Sequence, residues 1–142
     1  MGRSIYYRLE RYDNGTWQPD SREFLPAARG LILSPYISGT DGDLSELARS
    51  ISLALQSLSK DGFPPEASPA LSREADQMFA RCSEEFEPLP RFGWLSVEDI
   101  LRCDWSPMVG NSDGKRCVIA EWMALLRSLG PATKHRIVWF WS

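Results

Sequence analysis

From Ser4 to Tyr12 the side chains alternate, with Ile5, Tyr7 and Leu9 on one side and Tyr6, Arg8 and Glu10 on the other. A period of two in a tyrosine-rich run predicts a β-strand. Asn14-Gly15 follows, and both residue types tolerate positive φ, so a tight hairpin is expected. Thr16-Trp17-Gln18 then returns as a short strand, with Pro19 expected to end the pairing. Between residues 21 and 42 the pattern breaks down. Phe24-Leu25 and Leu31-Ile32-Leu33 are apolar, but Pro26, Gly30, Pro35, Gly39 and Gly42 interrupt them, and irregular chain with at most one short strand or turn of helix is expected.

A period near 3.6 then takes over. Leu44, Leu47, Ala48, Ile51, Leu55 and Leu58 form one apolar stripe, with Asp43 and Glu46 placed as a capping box and Gly62 as a left-handed C-cap. Pro64-Pro65 breaks the chain. Ser68-Pro69 opens a second helix as N-cap and first-turn proline, running to about Cys82 with Leu71, Ala75, Met78 and Phe79 inward. Pro88 and Pro90 end an acidic connection. Ser96 with Asp99 caps a short helix ending near Cys103, residues 106–116 are expected as a loop, and Val118 to Leu129 forms a last helix stopped by Gly130-Pro131. In that helix Val118, Trp122, Leu125, Leu126 and Leu129 face inward.

The closing run, residues 135–142, "HRIVWFWS", is β-branched and aromatic, the pattern of a strand covered on both faces. Placed beside the first strand, it gives a small antiparallel sheet packed on one side by three to four helices: an α+β fold in a single domain spanning residues 1–142. Trp139 and Trp141 share one face of that strand with Ile137, while Arg136, Val138 and Phe140 occupy the other. Either helices cover both faces, or one face is offered to a partner.

Composition narrows the function classes. The 142 residues are 43% hydrophobic and 25% charged, ordinary for a domain with its own core. The net charge of −3 provides no broad positive field for phosphate backbones, so direct nucleic-acid binding is not expected. Basic residues gather near the two ends, and Glu84, Glu85 and Glu87 make the connection before Pro88 acidic. Cys82, Cys103 and Cys117 are odd in number and widely spaced, which points to reduced thiols rather than a disulfide framework or a zinc site. Met1 to Glu10 holds no apolar signal core and no apolar run is long enough to cross a bilayer, so a cytoplasmic protein away from the membrane is expected.

The chemical inventory is thin. His135 is the sole histidine, which excludes a His-based metal cluster within one chain and leaves any triad dependent on one strand-end residue. Gly110 to Lys115 has a loop-like look, but it lacks the strand before it and the Ser/Thr after it that a phosphate-binding loop needs. Neither a cofactor nor a metal is expected. Six tryptophans are the outstanding feature, because Trp and Arg dominate interface hot spots. Trp122 and Trp94 fit a core; Trp139 and Trp141 on the last strand are the candidates for display.

Four motifs in order resemble a family of small bacteriophage and prophage proteins. "MGRSIYYRLERYDNGTW" is similar to a start of Met-Gly-Cys-Asp-Ile-His, then a strand with glutamate and "xxGxW". "GFPPEASPALSREAD" (62–76) resembles the family's "GxPxDxS", "GWLSVEDI" (93–100) its "SWLTLxEL", and "RIVWFW" (136–141) its "RxVFWFDN". The departures fall on polar positions. Arg3, Ser4 and Tyr6 stand where the family has Cys-Asp-x-His, Pro90 and Arg91 where it has His-Ser, and the final Asp-Asn has no counterpart after Trp141-Ser142. Glu10 alone remains at its place. The residues lost are those that bind metals or move protons; those kept form turns and pack.

The resemblance implies a phage-encoded, non-enzymatic binding protein that inhibits or redirects a bacterial host protein. Its specific version is counter-defence: an anti-CRISPR-like inhibitor that binds a subunit of a multi-subunit effector. The expected contact residues lie on the sheet of the two terminal strands: Tyr6, Arg8, Arg136, Trp139 and Trp141. Two alternatives stand beside it, a self-associating virion or assembly component and a small hydrolase built on Glu10.

Overall fold

A computed structural model describes residues 5–26, 42–85 and 90–141. In chain order its elements are β1 (Ile5–Asp13), β2 (Thr16–Asp20), α1 (Gly42–Leu58), β3 (Lys60–Asp61), α2 (Pro69–Glu85), β4 (Phe92–Ser96), α3 (Val97–Arg102), α4 (Ser106–Val109), α5 (Asp113–Ser128) and, after a 3₁₀ turn at Ala132–Lys134, β5 (His135–Trp141). The strands form one antiparallel sheet in the order β2-β1-β5-β4-β3, so the two terminal strands are neighbours and β5 lies at the centre. This is the expected α+β fold.

The hairpin joining β1 to β2 has φ of 51° at Asn14 and 80° at Gly15, the left-handed pair that a two-residue turn of matching twist requires. Pro19 does not end the pairing. Glu10 pairs with Pro19 and Leu9 with Asp20. The ladder tolerates proline there because β2 is an edge strand, where the missing N–H can face outward.

Alternation sorts the sheet into two faces. Ile5, Tyr7, Leu9, Leu95, Ile137 and Trp139 pack into one buried cluster with Leu47, Ile51 and Leu55 of α1, Val97 and Ile100 of α3, and Ile119, Trp122 and Leu126 of α5. Phe92 and Phe140 point the other way, against Ala75 and Met78 of α2. Helices therefore lie on both faces, not on one. The near-continuous apolar run of β5 has this as its cause.

Several boundaries differ from the sequence reading. β4 was hidden because "FGWLS" is short and runs straight into α3. Its glycine is there to make room: a Cβ on Gly93 would stand 2.2 Å from Cζ2 of Trp139. Gly62 has φ +100° but does not cap α1, which ends at Leu58; it turns the chain after β3, its N–H donating to the Phe92 carbonyl at 2.9 Å. The stretch expected as a loop at 106–116 holds α4 and the first turn of α5, whose N-cap is Ser112, with its hydroxyl accepting from the Lys115 N–H. The proposed cap at Asp43, the acidic cluster at Glu84 to Glu87 and most of 21–42 fall outside the described side chains.

The Ser96 cap is as expected, its hydroxyl accepting from the Asp99 N–H at 3.1 Å. Ser96→Ala is expected to cost about 1 kcal/mol in urea unfolding, with the m-value unchanged.

Candidate functional site

The face of the sheet toward α2 carries an arrangement that local sequence could not reveal. Glu10 on β1 and Arg136 on β5 are opposite each other in the ladder, and both are only 1% exposed. Nε of Arg136 donates to Oε1 of Glu10 at 2.9 Å. Nη2 lies 2.8 Å from the same oxygen but without the alignment of a hydrogen bond. The second carboxylate oxygen accepts the backbone N–H of Ser68 at 2.8 Å, just before α2 begins. Two indoles clamp the guanidinium: Trp17 at 3.9 Å and Trp94 at 5.6 Å, with the Lys60 ammonium 4.3 Å from the Trp94 ring. Burial pushes the Arg136 pKa down and Glu10 opposes that shift. The array holds β1, β5 and the start of α2 together.

Further along the same face lies a cluster of rings, part buried and part exposed. Tyr6 stacks on Phe140 with centroids 5.4 Å apart, Phe140 meets Phe92 at 5.7 Å, and Phe92 contacts Phe63 at 5.2 Å and Phe79 at 5.8 Å. Tyr6, Phe63 and Phe79 are 41%, 40% and 41% exposed, so a buried aromatic centre opens to solvent at three places around α2. Arg8 sits 5.2 Å from the Phe140 ring centroid and forms a bidentate pair with Glu74 of α2, Nε to Oε1 at 3.1 Å and Nη2 to Oε2 at 2.9 Å. Between β1, the end of β2 and α2 lies a cavity of about 540 Å³, with Arg22, Phe24 and Arg73 in its lining.

A second polar cluster closes the end of the sheet. Asp20, nearly buried, accepts from Nε and Nη2 of Arg22, which holds its carboxyl below the ordinary value of 3.8 despite burial. Nη2 of Arg22 also lies 3.2 Å from Nε2 of His135, and Nδ1 of His135 lies 2.9 Å from the Pro131 carbonyl. A carbonyl only accepts and a guanidinium only donates, so His135 carries its proton on Nδ1. Both ring nitrogens are thus held by structural partners.

The five expected contact residues are not brought together. Tyr6 and Arg8 lie at the surface on the α2 side. Arg136 shares that face but is buried under Trp17 and Trp94. Trp139 is 0% exposed on the opposite face, with Nε1 donating to Ser59 Oγ at 2.7 Å. Arg136 and Trp139 are therefore corrected from contact anchors to parts of the scaffold. Trp141 pairs with Ile5 at the end of β5, and its side chain lies outside the described part. Of the six tryptophans, Trp105, Trp122 and Trp139 are buried and Trp17 and Trp94 half-buried, and each buried indole has found a partner. Trp105 donates to the Ile100 carbonyl at 3.0 Å and Trp122 to the Phe24 carbonyl at 2.8 Å. Sequence reasoning missed Phe63 and placed Phe79 inward. Phe79 follows Met78 at the margin of the α2 stripe, where a shift of one position takes a ring from core to surface. The Arg8–Glu74 pair spans 66 positions and left no local signal.

Glu10, the residue on which a hydrolytic reading rests, has both oxygens engaged and is closed to solvent; it lacks the access a general base needs. Among the described residues no group of three His, Cys, Asp or Glu is placed to hold a metal ion. No family model, curated protein or solved structure matches the chain.

Proposed function

We propose that the chain is a binding protein that engages another protein through the α2 side of its sheet, with Tyr6, Phe63 and Phe79 as apolar anchors and Arg8 among them. The observation that carries this is the ring cluster centred on Phe92 and Phe140, which surfaces at those three positions instead of being sealed. Exposed rings backed by a rigid buried core bind at low entropic cost, which is the usual anatomy of an interface hot spot. The four phage-like motifs support the specific version: a phage-encoded inhibitor of a bacterial host protein, anti-CRISPR-like, directed at a subunit of a multi-subunit effector.

The test is affinity capture from bacterial lysate with tagged wild type beside Tyr6→Ala and Phe79→Ala. One dominant partner is expected with wild type, with each variant weakening it by about 2 kcal/mol while its unfolding midpoint stays close to wild type. Self-association into a defined oligomer in place of a partner would favour the assembly reading.

A further inference from the structure

Strand β1 is paired on both sides only in its second half. β5 accompanies it from Ile5 to Arg11, whereas β2 stops at the Leu9–Asp20 pair. Along Ile5–Arg8 the outer edge meets no strand among the described residues. The Tyr7 carbonyl is taken by a side chain, Nη1 of Arg8 at 3.0 Å. A strand edge left in this state is a template for another strand.

The wall facing this edge is α2. Arg73, Gln77 and Arg81 recur at four-residue steps on it, so they form one stripe along the groove. The Arg8–Glu74 pair bridges the groove at its middle. On one side is the 540 Å³ cavity, with Arg22 and Arg73 in its lining; on the other is a recess of about 230 Å³ lined by Tyr6, Arg8 and Arg81. The carboxylates of the groove are already matched: Glu10 with Arg136, Asp20 with Arg22, and Glu74 with Arg8. Arg73 and Arg81, both exposed, are in no ion pair among the described residues. Among the described residues that line the groove the excess charge is positive, although the chain as a whole is acidic.

We propose that this groove takes an extended acidic segment of the partner, which adds as a strand to Ile5–Arg8 and sets its carboxylates against Arg73 and Arg81. The proposal rests on the binding-protein reading above and gives the partner its chemistry. A backbone N–H of the incoming segment replaces Nη1 of Arg8 at the Tyr7 carbonyl, and the released guanidinium arm meets a further carboxylate. Since alternate side chains of a strand point to opposite sides, acidic residues at every second position are the matching pattern.

The experiment measures fluorescence anisotropy of the intact chain with two labelled eight-residue peptides, one alternating glutamate and valine, the other alternating lysine and valine. The acidic peptide is expected to bind at least about tenfold more tightly than the basic one. The double charge reversal Arg73→Glu/Arg81→Glu, on an exposed helix face that leaves the core intact, is expected to remove about tenfold of that affinity. Hydrogen exchange at the Tyr7 amide is expected to slow when the acidic peptide is bound. Equal affinity for the two peptides, an unchanged affinity in the reversed variant, or unchanged Tyr7 exchange would each overturn the proposal. Absence of acidic-peptide binding while Tyr6 and Phe79 still capture a partner overturns the groove alone. Absence of any captured partner overturns the binding reading, and with it the occupant assigned here.

Discussion

Glu10→Ala is expected to destabilise the domain by about 3–5 kcal/mol, because it leaves the Arg136 guanidinium buried between two indoles with no counter-charge. The loss is a large part of the roughly 5–15 kcal/mol that holds a domain of this kind together. Glu10 also accepts the Ser68 N–H, so its removal strands a second buried donor at the start of α2. Arg136→Met should cost less than Glu10→Ala, since a flexible apolar chain can fill the slot between Trp17 and Trp94. The double variant Glu10→Leu/Arg136→Met is expected to recover much of the single-site loss, as apolar replacements of buried ion pairs often do. Urea unfolding of wild type, Glu10→Leu, Arg136→Met and the double variant, a closed cycle, checks this. Additive losses in the double variant would mean that the two side chains do not act as a pair.

The second large effect is at Trp139 and Gly93. Trp139→Ala removes a fully buried indole and its hydrogen bond to Ser59, with an expected loss of about 3–5 kcal/mol and often no folded product at 37 °C. Gly93→Ala should be severe from the opposite direction. Its methyl group would enter the indole at 2.2 Å, and the ring is fixed by direct pairing of β4 with β5 and by Ser59. About 3 kcal/mol or more of overpacking is expected. Combining Gly93→Ala with Trp139→Leu tests the cause: relief of the clash predicts that the pair costs clearly less than the sum of its members. A full sum would place the Gly93 requirement elsewhere. Trp139 thus reports on folding, and a binding defect in Trp139→Ala would carry no information about contacts.

Much of the fold was legible wherever a period or a cap was local. β1 alternates, Asn14-Gly15 can form only a few turns, Ser68-Pro69 and Ser96 open helices, and β5 is apolar on both faces because both are covered. What escaped depends on distant partners. β4 is five residues long, and its glycine makes sense only with Trp139 above it, 46 positions later in the chain. The contact residues are hidden in the sequence for the same reason. Tryptophan count and arginine on the last strand suggested display, yet a Trp buries well once its N–H is matched, and Arg136 could be buried because Glu10 pairs with it from the other end of the chain. Glu10 stood out in the sequence as a polar survivor and is a structural anion. Phe63 and Phe79, the rings that do face solvent, carried no distinguishing pattern.

The most direct test of the binding surface is site-specific photo-crosslinking in bacterial lysate. A photoreactive phenylalanine analogue at position 79 or 6 is compared with the same analogue in place of exposed Glu121 on α5, across the sheet. One shared crosslinked partner is expected from positions 6 and 79 and none from 121. Crosslinking from 121 alone would move the interface to the helices on the other face, and a partner reached from neither surface position would contradict the binding role itself.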